Sequence, residues 1–306
     1  MRIDLLKELA VGAEAASSVK ATVLAGSLKR VIFCGMGGSI IPAEMLSMLW
    51  LDNFNYYLQR DFGLPFWADR DCLVICLSWS GDTEETISSF SSAINKNIPA
   101  IAITKGGKLE KLAMEAKYPL VILPPDSRPA RFGAVRMLGA LLTLLKNSAS
   151  IDYNLPDDLN VLGSVGPEVA PKIVGKIPLV YSSYQWRFLA RFWKIQFNEN
   201  CKIQAFCSYL PEATHNEIAG FSPENNQKFF PIVIADSTEG PENKIEKFVN
   251  FLKNVGQEHT VINLHGHSRI EKILSNYLDS IQVSTELCQI LGIDPLDNSV
   301  IDSFKI

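Results

Sequence analysis

A chain of 306 residues has room for about two domains of ordinary size, each with a core of its own. With 47% hydrophobic and 20% charged residues it reads as a soluble globular protein, and a net charge of -4 without any Lys/Arg-rich run excludes the footprint of a nucleic-acid binder. No apolar run reaches membrane-helix length, and Met1-Arg2-Ile3-Asp4 opens no signal-peptide core, so a cytoplasmic protein that does not engage the membrane is expected.

The apolar spacing predicts a helix over 2–23, ended by Gly26 and Ser27, and then a strand over 30–34. That strand runs into Gly35-Met36-Gly37-Gly38-Ser39, with an apolar helix following over 40–50. The glycines suggest a dinucleotide fingerprint, but its last glycine position holds Ile40, which leaves a nicotinamide cofactor with little support. The same glycines still admit a ligand close to the backbone, with Ser39 as a donor at the helix start.

A strand over 55–59 comes next. Residues 72–77 are continuously apolar, as the central strand of a parallel sheet must be when both its faces are covered. They lead into Ser78-Trp79-Ser80-Gly81-Asp82-Thr83-Glu84-Glu85-Thr86, where a helix over 84–95 begins with Thr83 at or near its cap. Hydroxyls beside the free N–H groups of a helix N-terminus make an anion site, and Ser78, Ser80 and Thr83 could each donate to a phosphate oxygen. Equally, Ser80-Gly81-Asp82-Thr83 could be no more than a capped turn.

Strands over 99–104 and 119–123, with helices over 108–116 and 131–145, complete an alternation that predicts a doubly wound parallel sheet. The polar stretch 146–156 reads as a linker and divides the chain into domains 1–150 and 151–306. The second half repeats the kind of pattern: strands over 178–182, 230–235 and 259–264, helices over 184–199 and 242–254, and a mostly helical 268–291, without a residue-level repeat of the first. The six cysteines are scattered without a Cys-x-x-Cys pair and read as buried, reduced thiols.

Two polar clusters interrupt the second half. One is the helix end carrying Asn198, Glu199 and Asn200; the other is Glu212, His215, Asn216 and Glu217. A carboxylate and a histidine near an anion site suit acid-base work, although Glu199 beside Lys194 and Lys202 could be a solvated helix end and His215 a surface or capping residue. His259, His265 and His267 lie around a strand and its exit loop and stay unassigned; the His265-Gly-His267 pair is too isolated for a metal site. Neither a Gly-x-Ser-x-Gly elbow nor a Walker loop is present, so acyl transfer and nucleotide hydrolysis lose their usual support. Sugar-phosphate chemistry without a cofactor or metal fits what remains.

Taken in order, Gly35-Met-Gly-Gly-Ser39, Ser78-Trp-Ser-Gly-Asp-Thr-Glu-Glu-Thr86, Trp193-Lys-Ile-Gln-Phe-Asn-Glu-Asn-Cys-Lys202 and Leu210-Pro-Glu-Ala-Thr-His-Asn-Glu-Ile-Ala-Gly220 resemble the bifunctional phosphoglucose/phosphomannose isomerases of the sugar isomerase (SIS) superfamily. The resemblance implies two SIS domains and interconversion of glucose 6-phosphate and mannose 6-phosphate with fructose 6-phosphate through a cis-enediol, with no cofactor. It implies that Gly38, Ser39, Ser78, Ser80 and Thr83 hold the phosphate, that Glu199 is the base, and that Arg131 stabilises the enediolate, with Arg128 and Arg136 as competitors for that place. It further implies that His215 opens the sugar ring from the other subunit of a homodimer and that Lys305, in the final Ile301-Asp-Ser-Phe-Lys305, assists. Asn298 stands where the family tends to carry a threonine associated with the mannose epimer. The rival readings are an amino-sugar-phosphate isomerase of the same superfamily and a SIS sugar-phosphate sensor without turnover.

Overall fold

The computed structural model describes residues 3–19, 30–49, 55–146, 165–222 and 225–304. The chain divides into two compact units, Asp4–Leu155 and Pro156–Ile306 with Met1–Ile3. The expected linker and the 150/151 boundary lie outside the described residues, apart from Lys146.

In the first unit α1 (Leu5–Ser17) precedes β1 (Arg30–Gly35), α2 (Ile41–Leu49), β2 (Tyr56–Gln59), β3 (Cys72–Ser78), α3 (Glu84–Asn95), β4 (Ala100–Thr104), α4 (Gly107–Glu115), β5 (Leu120–Ile122) and α5 (Ala130–Lys146). The strands pair in parallel in the order β2-β1-β3-β4-β5. Every residue of β3 and β4 is buried, whereas the flanking β2 and β5 alternate, which explains why the central strands are continuously apolar in sequence. The chain order reverses direction between β1 and β3, and a sheet of this order binds its ligand at the carboxyl ends of those two strands. The loops 35–39 and 78–83 leave the sheet there.

The second unit holds α6 (Gly166–Ile173), β6 (Ile177–Ser183), α7 (Arg187–Asn200), β7 (Phe206–Leu210), β8 (Phe229–Ala235), α8 (Ile245–Asn254), β9 (Thr260–Asn263), α9 (Arg269–Leu291) and α10 (Ser299–Phe304). Its strands are again parallel, in the order β7-β6-β8-β9. Two elements, α6 and β7, go beyond the sequence reading: α6 contains Pro167 and Pro171, and β7 is an edge strand whose first two residues are exposed. Three helices also begin later than the apolar spacing indicates, because 3-10 turns at Gly37–Ile40, Tyr184–Trp186 and Pro241–Asn243 precede α2, α7 and α8.

The longest helix shows how local chemistry sets its ends. Ser268 caps α9: its Oγ accepts the Glu271 N–H at 3.3 Å, and the Glu271 carboxylate takes the Ser268 hydroxyl at 2.8 Å and the His267 N–H at 2.9 Å. Gly292, left-handed at φ 68, closes the other end, with the Ile293 N–H returning to the Cys288 carbonyl at 2.9 Å.

Candidate active site

At the carboxyl ends of β1 and β3 the two loops are tied directly to each other. The Trp79 N–H donates to Ser39 Oγ at 3.0 Å, and Ser39 is itself buried. Ser78, fully buried, accepts the Gly81 N–H at 3.0 Å and donates to Thr83 Oγ1 at 3.1 Å. Ser80, which is exposed, accepts the Asp82 N–H at 3.2 Å. Thr83 occupies the N-cap position of α3, yet its side chain makes no capping bond. Its hydroxyl is turned to Ser78 instead, so the first turn of α3 presents its N–H donors without a side-chain cap, an arrangement suited to an anion.

The third strand end closes around the same loop. Gly81 lies at φ +80, and a Cβ there would stand 1.7 Å from the Gly106 carbonyl oxygen, so only glycine fits. The Gly81 carbonyl accepts the Leu109 N–H at 2.8 Å, and Asp82 Oδ1 accepts the Lys108 N–H at 3.0 Å. Gly38 is pressed against the start of α5, where an added Cβ would come 2.5 Å from the Arg131 nitrogen. The 35–39 loop, the 78–83 loop, the β4–α4 turn and the α5 N-terminus therefore form one cradle.

Trp79 fills the floor of that cradle, only 4% exposed. Its indole N–H donates to the Arg128 carbonyl at 2.7 Å, its ring abuts Gly133 of α5, and the Lys105 ammonium lies 4.5 Å from the ring centroid. Burial lowers the Lys105 pKa, against the opposing pull of the Asp126 charge.

The three candidate arginines separate by their surroundings. Arg128 holds Asp126 through Nε at 3.0 Å to both oxygens and reaches Glu8 at 2.6 Å; Arg136 holds Glu8 at 2.8 and 3.2 Å and lies 3.2 Å from Asp126. Burial acts to raise the Asp126 carboxyl, but the Arg128 bonds and both guanidinium charges outweigh it and hold the pKa below the usual carboxylate range. Hydrogen bonding to Asp126 likewise raises the Arg128 pKa. Arg131 is fully buried beside the Gly38 loop, with its guanidinium 5.0 Å from the Phe132 ring.

In the second unit Glu199 is half-buried in the last turn of α7. The turn is fixed on both sides of it. Asn198 Nδ2 donates to the Ile203 carbonyl at 2.9 Å, while buried Asn200 donates to Gln196 Oε1 at 2.9 Å and to Ser284 Oγ of α9 at 2.8 Å. Cys201 Sγ is 3.1 Å from the Ser284 carbonyl, a further tie to α9. His215 closes the 3-10 turn Glu212–His215 and is exposed; Glu217 nearby accepts the Tyr181 hydroxyl at 3.0 Å. Burial, reinforced by the Glu217 carboxylate, raises the Tyr181 pKa.

The chain is 35% identical over 290 residues to the bifunctional phosphoglucose/phosphomannose isomerase of Aquifex aeolicus, covering 90% of this chain and 89% of that one. The chain belongs to the bifunctional phosphoglucose/phosphomannose isomerase family. Within that family its second half, residues 165–306, matches the bacterial phospho-glucose isomerase C-terminal SIS domain. It is also 34% identical over 234 residues to the D-glucosamine-6-phosphate 4-epimerase of Sulfolobus acidocaldarius, covering 74% of this chain and 73% of that protein. The fold is similar to that of the C-terminal domain of glucosamine-fructose-6-phosphate aminotransferase from Francisella tularensis, with a TM-score of 0.69 at 12% identity over 96% of each chain.

Of the residues that the family resemblance singles out, the first unit brings Gly38, Ser39, Ser78, Ser80, Thr83 and Arg131 to one end of its sheet. Glu199 and His215 belong to the second unit, and Lys305 lies outside the described residues. Asn298 is half-buried just before α10, and its carbonyl accepts the Asp302 N–H at 2.9 Å. Trp79, Lys105 and Gly133 escape the sequence reading; an apolar Trp between two serines and a Gly inside an apolar helix are the signals that could have marked a packing contact.

Proposed function

We propose that this chain is a sugar-phosphate isomerase that interconverts glucose 6-phosphate and mannose 6-phosphate with fructose 6-phosphate through a cis-enediol. The observation that carries this reading is the hydroxyl-lined cradle at the β1/β3 ends, in a chain of the phosphoglucose/phosphomannose isomerase family. Gly38, Ser39, Ser78, Ser80, Thr83 and the first-turn amides of α3 hold the phosphate. Anchoring this remote group lets binding energy orient C1 and C2.

Glu199 is the base that carries a proton between C2 and C1, and Arg131 faces the oxygen on which charge develops. The place of Arg131, buried against the Gly38 loop of that cradle, supports it for that part. His215 opens the sugar ring, reaching the site from the other subunit of a homodimer, a reading that its exposure supports. Lys305 assists the ring opening. The enzyme needs no cofactor, works in the cytoplasm, and consists of a phosphate-binding domain over 1–150 and a catalytic domain over 151–306.

The epimerase relative supports a second reading, action at C4 of an amino-sugar phosphate. Incubation with fructose 6-phosphate without added metal, and separately with glucosamine 6-phosphate, distinguishes them. Glucose 6-phosphate and mannose 6-phosphate from the first substrate, with no C4 epimer from the second, are expected. A C4 epimer alone would replace the isomerase by the second reading, and binding without turnover would replace it by a sensor.

A further inference from the structure

Lys202 follows the Asn198-Glu199-Asn200 turn with a backbone φ of 57, a left-handed conformation that costs any residue with a Cβ about 1–2 kcal/mol. Its ammonium spans two carbonyls: that of Glu199 at 2.6 Å and that of Asp297 at 2.5 Å. The first belongs to the last turn of α7, where helix carbonyls have lost their intrahelical donors. The second belongs to the residue two positions before α10, whose Oδ1 accepts the Ser299 N–H at 2.9 Å.

Packing does little to hold that C-terminal segment. The described part of α10 buries no side chain, and Val300 and Phe304 are 76% and 93% exposed. Polar ties take its place. The Ile293 N–H pins the start of the segment to α9, and the Lys202 ammonium pins Asp297 to the Glu199 carbonyl.

We propose that Lys202 is a positioning residue, a clasp that locks the 297–304 segment onto the final turn of α7 and thereby fixes the backbone that carries Glu199. The proposal rests on the reading of Glu199 as the base. Without the clasp the last turn of α7 loses a donor and the segment loses a tie to that turn, so chemistry slows while phosphate binding, which belongs to the other unit, is spared.

Lys202→Gly tests this, because glycine keeps the left-handed backbone without strain while the side chain that carries the ammonium is removed. With fructose 6-phosphate, kcat is expected to fall about tenfold and KM to stay within about twofold, and Lys202→Arg to recover most of the loss. Hydrogen exchange of the backbone amides over 299–304 should accelerate in Lys202→Gly and return to the wild-type rate in Lys202→Arg. Wild-type kcat in Lys202→Gly, unchanged exchange in that variant, or a Lys202→Arg no better than Lys202→Gly overturns the clasp. Failure of the base reading looks different: Glu199→Gln would then turn over normally while the exchange difference in Lys202→Gly persists.

Discussion

Gly81 is where the cradle proposed to hold the phosphate depends most sharply on a missing side chain. At φ +80, a residue with a Cβ forfeits about 1–2 kcal/mol to backbone strain alone. The Cβ would also stand 1.7 Å from the Gly106 carbonyl oxygen and 2.8 Å from Thr104 Oγ1, so the β4–α4 turn must move, an overpacking cost of about 1–3 kcal/mol. Gly81→Ala should therefore destabilise the chain by about 2–5 kcal/mol. Gly63 of the same unit provides the comparison: it has φ +69 but only Ser92 Oγ at 3.7 Å from its virtual Cβ. Gly63→Ala carries the backbone term without the clash, so the difference between the two variants isolates the steric term. Urea unfolding of both, with the affinity of each for inorganic phosphate measured by calorimetry, reads the two effects. Gly81→Ala should lose phosphate affinity and Gly63→Ala should keep it. Equal stability losses in the two variants, or wild-type phosphate affinity in Gly81→Ala, would refute the close-packed cradle.

Two further outcomes follow from buried polar groups. Ser39→Ala leaves the Trp79 N–H without its 3.0 Å acceptor, a loss of about 1–3 kcal/mol, so KM for fructose 6-phosphate should rise about tenfold with kcat nearly kept; an unchanged KM detaches Ser39 from the site. Burial on α9 pushes the Asp279 carboxyl up to about 7, so between the ordinary carboxylate range and pH 7 the folded chain holds a proton that the unfolded chain has released, and stability falls as pH rises through that window. Asp279→Asn should accordingly match the wild type below about pH 4 and exceed it by up to about 4 kcal/mol above pH 7; a melting-temperature difference that does not change with pH contradicts the assignment.

The core of the first unit was legible because its physics is local. A strand buried on both faces has to be continuously apolar, and a glycine or hydroxyl at its end announces the loop, so β1, β3 and their two loops could be read directly. Edge elements lack that constraint: β7 pairs on one side only and exposes Phe206, so its sequence shows neither a continuous run nor a clean alternation. Thr83 looked like a side-chain cap, yet its hydroxyl has a nearer use in holding Ser78. The surroundings of the arginines are not legible in spacing, because Arg128 and Arg136 meet Glu8, more than a hundred residues away in the chain. Trp79 stands inside the motif, but its place is set by Gly133 and the Arg128 carbonyl, neither of which spacing reveals.

The central claim is that Glu199 moves the proton. Its most direct test is the steady-state turnover of fructose 6-phosphate by Glu199→Gln beside the wild type, with glucose 6-phosphate and mannose 6-phosphate quantified separately. A fall in kcat of about a thousandfold or more for both products, at a KM close to the wild-type value, is predicted. Turnover within about tenfold of the wild type would contradict it and assign the proton transfer to another residue.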